Sequence, residues 1–102
     1  MIKLSLTSAL ETVLNNTGRV VLLFSADWCS QCTSLKRDIN HLPIVEVDAD
    51  KFPELATRYN VRGLPTVVEV YRPDGATDFR FDQERSWTGQ ALRPSVVKDL
   101  FA

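Results

Sequence analysis

The apolar positions change period several times along the chain, and each change marks an element. Ile2, Leu4 and Leu6 alternate with polar residues, which predicts a short strand over 2–6 with one buried face. Leu10, Val13 and Leu14 then recur at helical spacing behind Ser8-Ala9-Leu10-Glu11, a hydroxyl and carboxylate placed as in a capping box. A helix over about 9–17 is expected, stopped by Gly18. Val20 to Ser25 is a continuous apolar run, too short for a helix. It reads as a strand buried on both faces, with helices on each side of its sheet.

From Cys29 to His41 the period is helical again, through Cys32, Leu35, Ile39 and Leu42, and Pro43 ends it. Ile44 to Asp48 alternates as a strand, and Phe52 to Tyr59 reads as a helix with Pro53 near its start. Val61 to Pro65 is a loop, Thr66 to Tyr71 a strand and Pro73-Asp74-Gly75 a turn. Thr77 to Phe81 is expected to return as the antiparallel partner. Arg93-Pro94-Ser95 opens a last helix with Val96, Val97, Leu100 and Phe101 as its apolar stripe. The order β-α-β-α-β-α-β-β-α predicts an α/β fold: a central mixed β-sheet flanked by helices on both faces. Strands joined through a helix run parallel, with right-handed crossovers.

Composition narrows the function classes. The 102 residues suit one domain, 1–102, and are 44% hydrophobic with 25% charged residues and a net charge of −1. No basic excess calls for nucleic acid. The longest apolar run is far below the roughly 20 residues that span a bilayer, so no membrane partner is expected. Met1-Ile2-Lys3-Leu4 does not open a signal peptide, which points to a cytoplasmic location. Two cysteines make no disulfide framework, and two thiols with one histidine, His41, are too few for a zinc site within one chain.

Cys29 and Cys32 stand where the buried strand gives way to a helix. Unpaired N–H groups and the helix dipole favour a thiolate at Cys29. Cys32 lies one turn on, on the same side, near enough to bridge back. One thiolate can attack a substrate disulfide and the second can resolve the mixed disulfide. That division of labour asks for an exposed Cys29 and a shielded Cys32.

Trp28-Cys29-x-x-Cys32, Val45-Glu46-Val47-Asp48 and Tyr59-Asn60-Val61-Arg62-Gly63-Leu64-Pro65-Thr66, continuing to Gly89 and the last helix, resemble the thioredoxin family over nearly the whole chain. The resemblance implies a thioredoxin-like three-layer sandwich and a thiol–disulfide oxidoreductase that reduces protein disulfides, with a part in electron transport and cell redox homeostasis. It implies Cys29 as nucleophile and Cys32 as resolving thiol. A cis Pro65 would turn the Leu64 backbone toward the thiols, and Trp28 and Gly89 would border the substrate groove. No organic cofactor or metal is implied, the redox-active Cys29–Cys32 disulfide being the working group. Thioredoxin reductase or a glutathione-linked reductant is the expected electron donor, and a monomer the expected state. The alternatives are a thioredoxin-fold binding module, whose cysteines are dispensable, and a glutaredoxin-like enzyme.

Three departures from the family pattern stand out. Ser30-Gln31 replaces the usual Gly-Pro between the cysteines and brings neither charge nor a histidine, which favours a reducing role. The buried Asp and Lys of typical thioredoxins fall on Leu23 and Ile44, leaving Cys32 without an obvious base. The segment from Arg72 to Trp87 is longer than in a minimal thioredoxin. It is expected to form an extended hairpin in which Phe79, Phe81 and Trp87 cover the core, with a partner surface as the alternative. Among the remaining candidates, His41 reads as a surface or capping residue and Asp48 as the cap of the following helix. Asn15-Asn16-Thr17 fits the glycosylation triplet, without meaning in a cytosolic chain. Arg62 attracts acidic substrates or simply solvates the surface.

Overall fold

The structure is a computed structural model describing residues 1–102. Strand β2 (Arg19–Ser25) lies at its centre because its side chains are apolar on both sides. Val20, Leu22 and Phe24 point into one core, Val21 and Leu23 into another, all 6% exposed or less. Full burial of each large side chain contributes about 1.5–3 kcal/mol. Around β2 the five strands are ordered β1-β3-β2-β4-β5. β1 (Ile2–Lys3) and β3 (Val45–Asp48) run parallel to β2, with Leu23 beside Glu46 and Ser25 beside Asp48. β4 (Thr66–Tyr71) runs antiparallel to β2, with Phe24 beside Thr66, and β5 (Gln83–Thr88) runs antiparallel to β4, with Thr66 beside Thr88.

Helices cover both faces, as the apolar run of β2 requires. α1 (Thr7–Thr17) and α3 (Pro53–Arg58) close the first core with Leu10, Leu14 and Leu55, joined by Tyr59. α2 (Ser30–Ile39) and α4 (Pro94–Asp99) close the second with Leu35, Ile39 and Val97, against Ile44 and Val67. Gly18 ends α1 at φ +73°, its N–H bonded to the Leu14 carbonyl at 2.8 Å. That left-handed position favours glycine, and a Cβ there would also stand 3.3 Å from the Arg72 carbonyl.

Several expectations are corrected. The first strand keeps only two residues, and α1 starts at Thr7 with Leu6 as a cap that makes no side-chain bond. Ser8 and Glu11 therefore lie inside the helix, and Glu11 bonds Arg58 and Arg72 instead of capping. Thr77 to Phe81 is not the return strand: Phe79–Phe81 is a 3-10 turn, and the antiparallel partner begins at Gln83. Asp78 accepts the Arg80 N–H at 2.9 Å and pairs with its guanidinium at 2.7 Å, so a local turn displaces the strand. Phe79 and Phe81 are 43% and 64% exposed rather than buried, and of the three aromatics only Trp87 packs on the core. Phe79 lies under the Arg58 guanidinium, 4.2 Å from ring centroid to carbon.

Candidate active site

The carboxyl end of β2 feeds through Ala26, Asp27 and Trp28 into α2. Cys29 is the N-cap of that helix, with extended backbone at φ −91° and ψ 100°, and its sulfur accepts the Cys32 N–H at 3.2 Å. The capping position thus aims an orphan helix N–H at the sulfur, an arrangement that favours negative charge there. Cys29 and Cys32 form a disulfide, with their Cα atoms 5.3 Å apart. Both residues are buried in this oxidised form: Cys29 keeps 6% exposure and Cys32 none. The asymmetry expected between them is present in a narrower form, since Cys29 is not openly exposed.

Facing the cysteines across the sheet end is the loop before β4. The Leu64–Pro65 peptide is cis, and Thr66 Oγ1 donates to the Gly63 carbonyl at 2.6 Å. Neither the N–H nor the C=O of Leu64 has a partner within the chain, so both remain able to pair with an extended peptide. The register of β4 with β5 brings Thr88 beside Thr66, and Thr88 Oγ1 donates to the Pro65 carbonyl at 3.2 Å. Gly89 follows at φ +58°, in the region that favours glycine, with open space where a side chain would stand.

A groove of about 580 Å³ runs between α2 and this loop. Leu64, Pro65 and Gly89 line it together, with Gln31, Ser34 and Asp38 along the α2 side and Thr88, Gln90, Leu92 and Pro94 opposite. Trp28 does not line it. Its ring is 71% exposed on the other flank of the helix start, where its indole N–H donates to Asp50 Oδ2 at 2.9 Å. Arg62, Asp27 and His41 are exposed. Asp48 does not cap α3: its Oδ1 accepts the N–H groups of Asp50 and Lys51 and shapes the turn before that helix.

Two polar clusters escaped the sequence. Beneath α2, Glu46 Oε2 accepts Ser25 Oγ at 2.7 Å and Lys36 Nζ at 2.8 Å. Burial pushes the Glu46 carboxyl up, but the bonds from Lys36 and Ser25, with the charges of Lys36 and Lys3, outweigh it and hold it below its ordinary value. On the opposite face Arg72 is 2% exposed, bidentate to Asp82 at 2.7 and 3.1 Å and bonded to Glu11 at 2.8 Å and Asn15 at 3.0 Å. Spacing revealed neither, because each joins strands or helices far apart in the chain.

A family model described as Thioredoxin matches residues 2–87. The chain belongs to the thioredoxin family. It is similar to a thioredoxin of Griffithsia pacifica, 34% identical over 70 residues, which cover 61% of this chain and 64% of that one. It is also similar to thioredoxin-1 of Drosophila melanogaster, 37% identical over 57 residues, covering 48% of this chain and 53% of the relative. The chain therefore spans between half and two thirds of the length of these thioredoxins. Among solved structures, a mutant thioredoxin from Halobacterium salinarum superposes with a TM-score of 0.75 at 27% identity, over 97% of this chain and 85% of that one. The mixed five-stranded sheet between two helical layers is thus a thioredoxin fold in this chain as well.

Proposed function

We infer that this thioredoxin-family chain is a thiol–disulfide oxidoreductase that reduces protein disulfides. The observation that carries the reading is the Cys29–Cys32 disulfide at the start of α2, with one sulfur held at the helix N-cap and the other fully buried one turn on. In the reduced protein the Cys29 thiolate attacks a substrate disulfide sulfur, forming a mixed disulfide and releasing one substrate thiolate. The Cys32 thiolate then attacks Cys29 Sγ. The Cys29–substrate bond breaks, the internal disulfide forms and the second substrate thiolate leaves. The substrate has gained two electrons and the protein has lost them.

The unpaired Leu64 backbone beside Pro65 gives an extended substrate a strand to pair with, and the groove past Gly89 takes the residues flanking its cysteine. Ser30 and Gln31 add no charge that would strengthen oxidation, which supports a reducing role in the cytoplasm. Thioredoxin reductase or a glutathione-linked dithiol returns the electrons. The disulfide alone carries the chemistry, without metal or organic cofactor, and the chain acts as a monomer.

Cysteine replacement tests the reading. Cys29→Ser abolishes insulin disulfide reduction, while Cys32→Ser forms a mixed disulfide with the substrate and holds it, seen as a mass increment removed by dithiothreitol. Full activity in Cys29→Ser refutes the assignment, and a partner retained by the double variant favours a binding module. Equilibration with glutathione is expected to place the pair below about −200 mV, toward the roughly −270 mV of thioredoxin. A higher value makes the chain an oxidant or isomerase.

A further inference from the structure

The groove beside the disulfide has one charged end. Gln31, Ser34, Leu35 and Asp38 stand at i, i+3, i+4 and i+7, so one stripe of α2 forms a wall that starts beside the cysteines and runs to the last turn of the helix. The residues opposite are uncharged, and Asp38 is the only charged residue lining the groove. Its side chain is exposed and makes no hydrogen bond or ion pair within the chain, whereas Glu11, Glu46, Glu69 and Asp82 are each paired with arginine or lysine. Lys36 is committed to Glu46, and Arg37, adjacent in sequence, leaves the helix on another side. Arg62 and Arg93 adjoin lining residues, but neither lines the groove or pairs with Asp38. Asp38 also sits at the negative end of the α2 dipole, where an acid costs the helix a little and adds to the pull on a cation.

A helix gains about 1.5 Å per residue, which puts Asp38 roughly 13 Å along α2 from Cys29. An extended peptide covers that distance in about four residues at ~3.3 Å each. Resting on the thiol–disulfide reading, we propose that Asp38 selects protein disulfides whose reacting cysteine has a lysine or arginine about three or four residues away in the chain. The substrate pairs with the Leu64 backbone, its sulfur meets Cys29, and its cationic side chain follows the α2 wall to Asp38. A glutamate at the same place meets a like charge and is disfavoured. Asp38 takes no part in the exchange of bonds. It raises the rate for one class of peptide, and because water reaches the pair the gain is a few-fold.

The probes are short synthetic peptides whose single cysteine is carried as a mixed disulfide with thionitrobenzoate. The Cys29 thiolate attacks the peptide sulfur, the bond to thionitrobenzoate breaks and that coloured thiolate leaves; Cys32 then displaces the peptide thiolate. Lys, Gln or Glu is placed at successive positions on either side of the cysteine, and each second-order rate is divided by that of the same peptide with dithiothreitol. The reduced protein is expected to favour Lys over Gln by about two- to fivefold at the third or fourth position on one side. It should disfavour Glu there, and both effects should fade at high salt. Asp38→Asn is expected to bring the Lys and Gln rates together, and Asp38→Lys to favour Glu. Equal rates for the three peptides overturn the proposal, as does a Lys preference that is the same at every position or that survives Asp38→Asn. Release that persists in Cys29→Ser, or no release from any peptide, overturns the thiol–disulfide reading instead.

Discussion

Replacing Arg72 by Met removes one partner from a buried charged pair and tests what holds the long β4–β5 connection to the body of the protein. The Arg72 side chain is 1% exposed and that of Asp82 is fully buried. In the variant Asp82 keeps only the Tyr59 hydroxyl, at 3.3 Å, and loses both guanidinium bonds. Methionine fills much of the volume, so the effect comes from the stranded carboxylate more than from a cavity. Breaking such a pair from one side costs about 3–5 kcal/mol. The partly exposed Glu11 still pairs with Arg58 at 3.0 Å and is expected to add little. With a urea slope of about 1–1.5 kcal/mol per M for a chain of this size, the midpoint should fall by roughly 2–5 M. The oxidised protein is titrated at neutral pH by tryptophan fluorescence. Arg72→Met with Asp82→Leu removes both charges and should recover most of the loss, since an apolar pair of similar volume is often neutral or better. A single variant within about 0.5 M of the parent, or a double variant as weak as the single, refutes this account.

Two further outcomes follow from buried groups. Burial, aided by the Asp82 charge, raises the Tyr59 phenol to about 12, so its contribution is intact below the ordinary value of 10 and is lost as pH rises through 10 toward 12. In Tyr71→Phe, which leaves Tyr59 as the sole tyrosine, phenolate absorbance should appear only near pH 12, with a loss of up to about 2–3 kcal/mol across that range; a midpoint near 10 contradicts it. Leu23→Asp places a carboxylate at a fully buried site beside Glu46 and should cost at least about 3 kcal/mol at neutral pH, less as acid neutralises it. An unchanged urea midpoint refutes that.

What the chain revealed in advance was whatever one period or one short motif encodes. The five apolar residues of β2 announced a strand with a core on each side, and Val21 and Leu23 do part from Leu22 and Phe24. The cysteine spacing marked the disulfide, and the residues around Pro65 marked the loop opposite it. The errors came where two local preferences compete. Phe79 and Phe81 suggested a strand, but Asp78 and Arg80 close a turn on each other first. Ser8 and Glu11 looked like a cap, but Glu11 is drawn to two arginines that arrive from elsewhere in the chain. Arg72 and Glu46 gave no signal because their burial depends on partners that only the packed sheet brings near.

The Arg72–Asp82 pair closes a loop ten residues long without a covalent bond. Because one end is pinned to α1 through Glu11 and Asn15 and the other is held by Arg72 and Tyr59, what lies between them contributes little to holding the sheet together. Pro73 through Phe81 can therefore change in sequence, or lengthen, at the small entropic cost of a longer closed loop. The fold carries an exchangeable cassette, and its exposed Phe79, Arg80 and Phe81 are free to diverge while the redox pair on the other side of the sheet stays as it is.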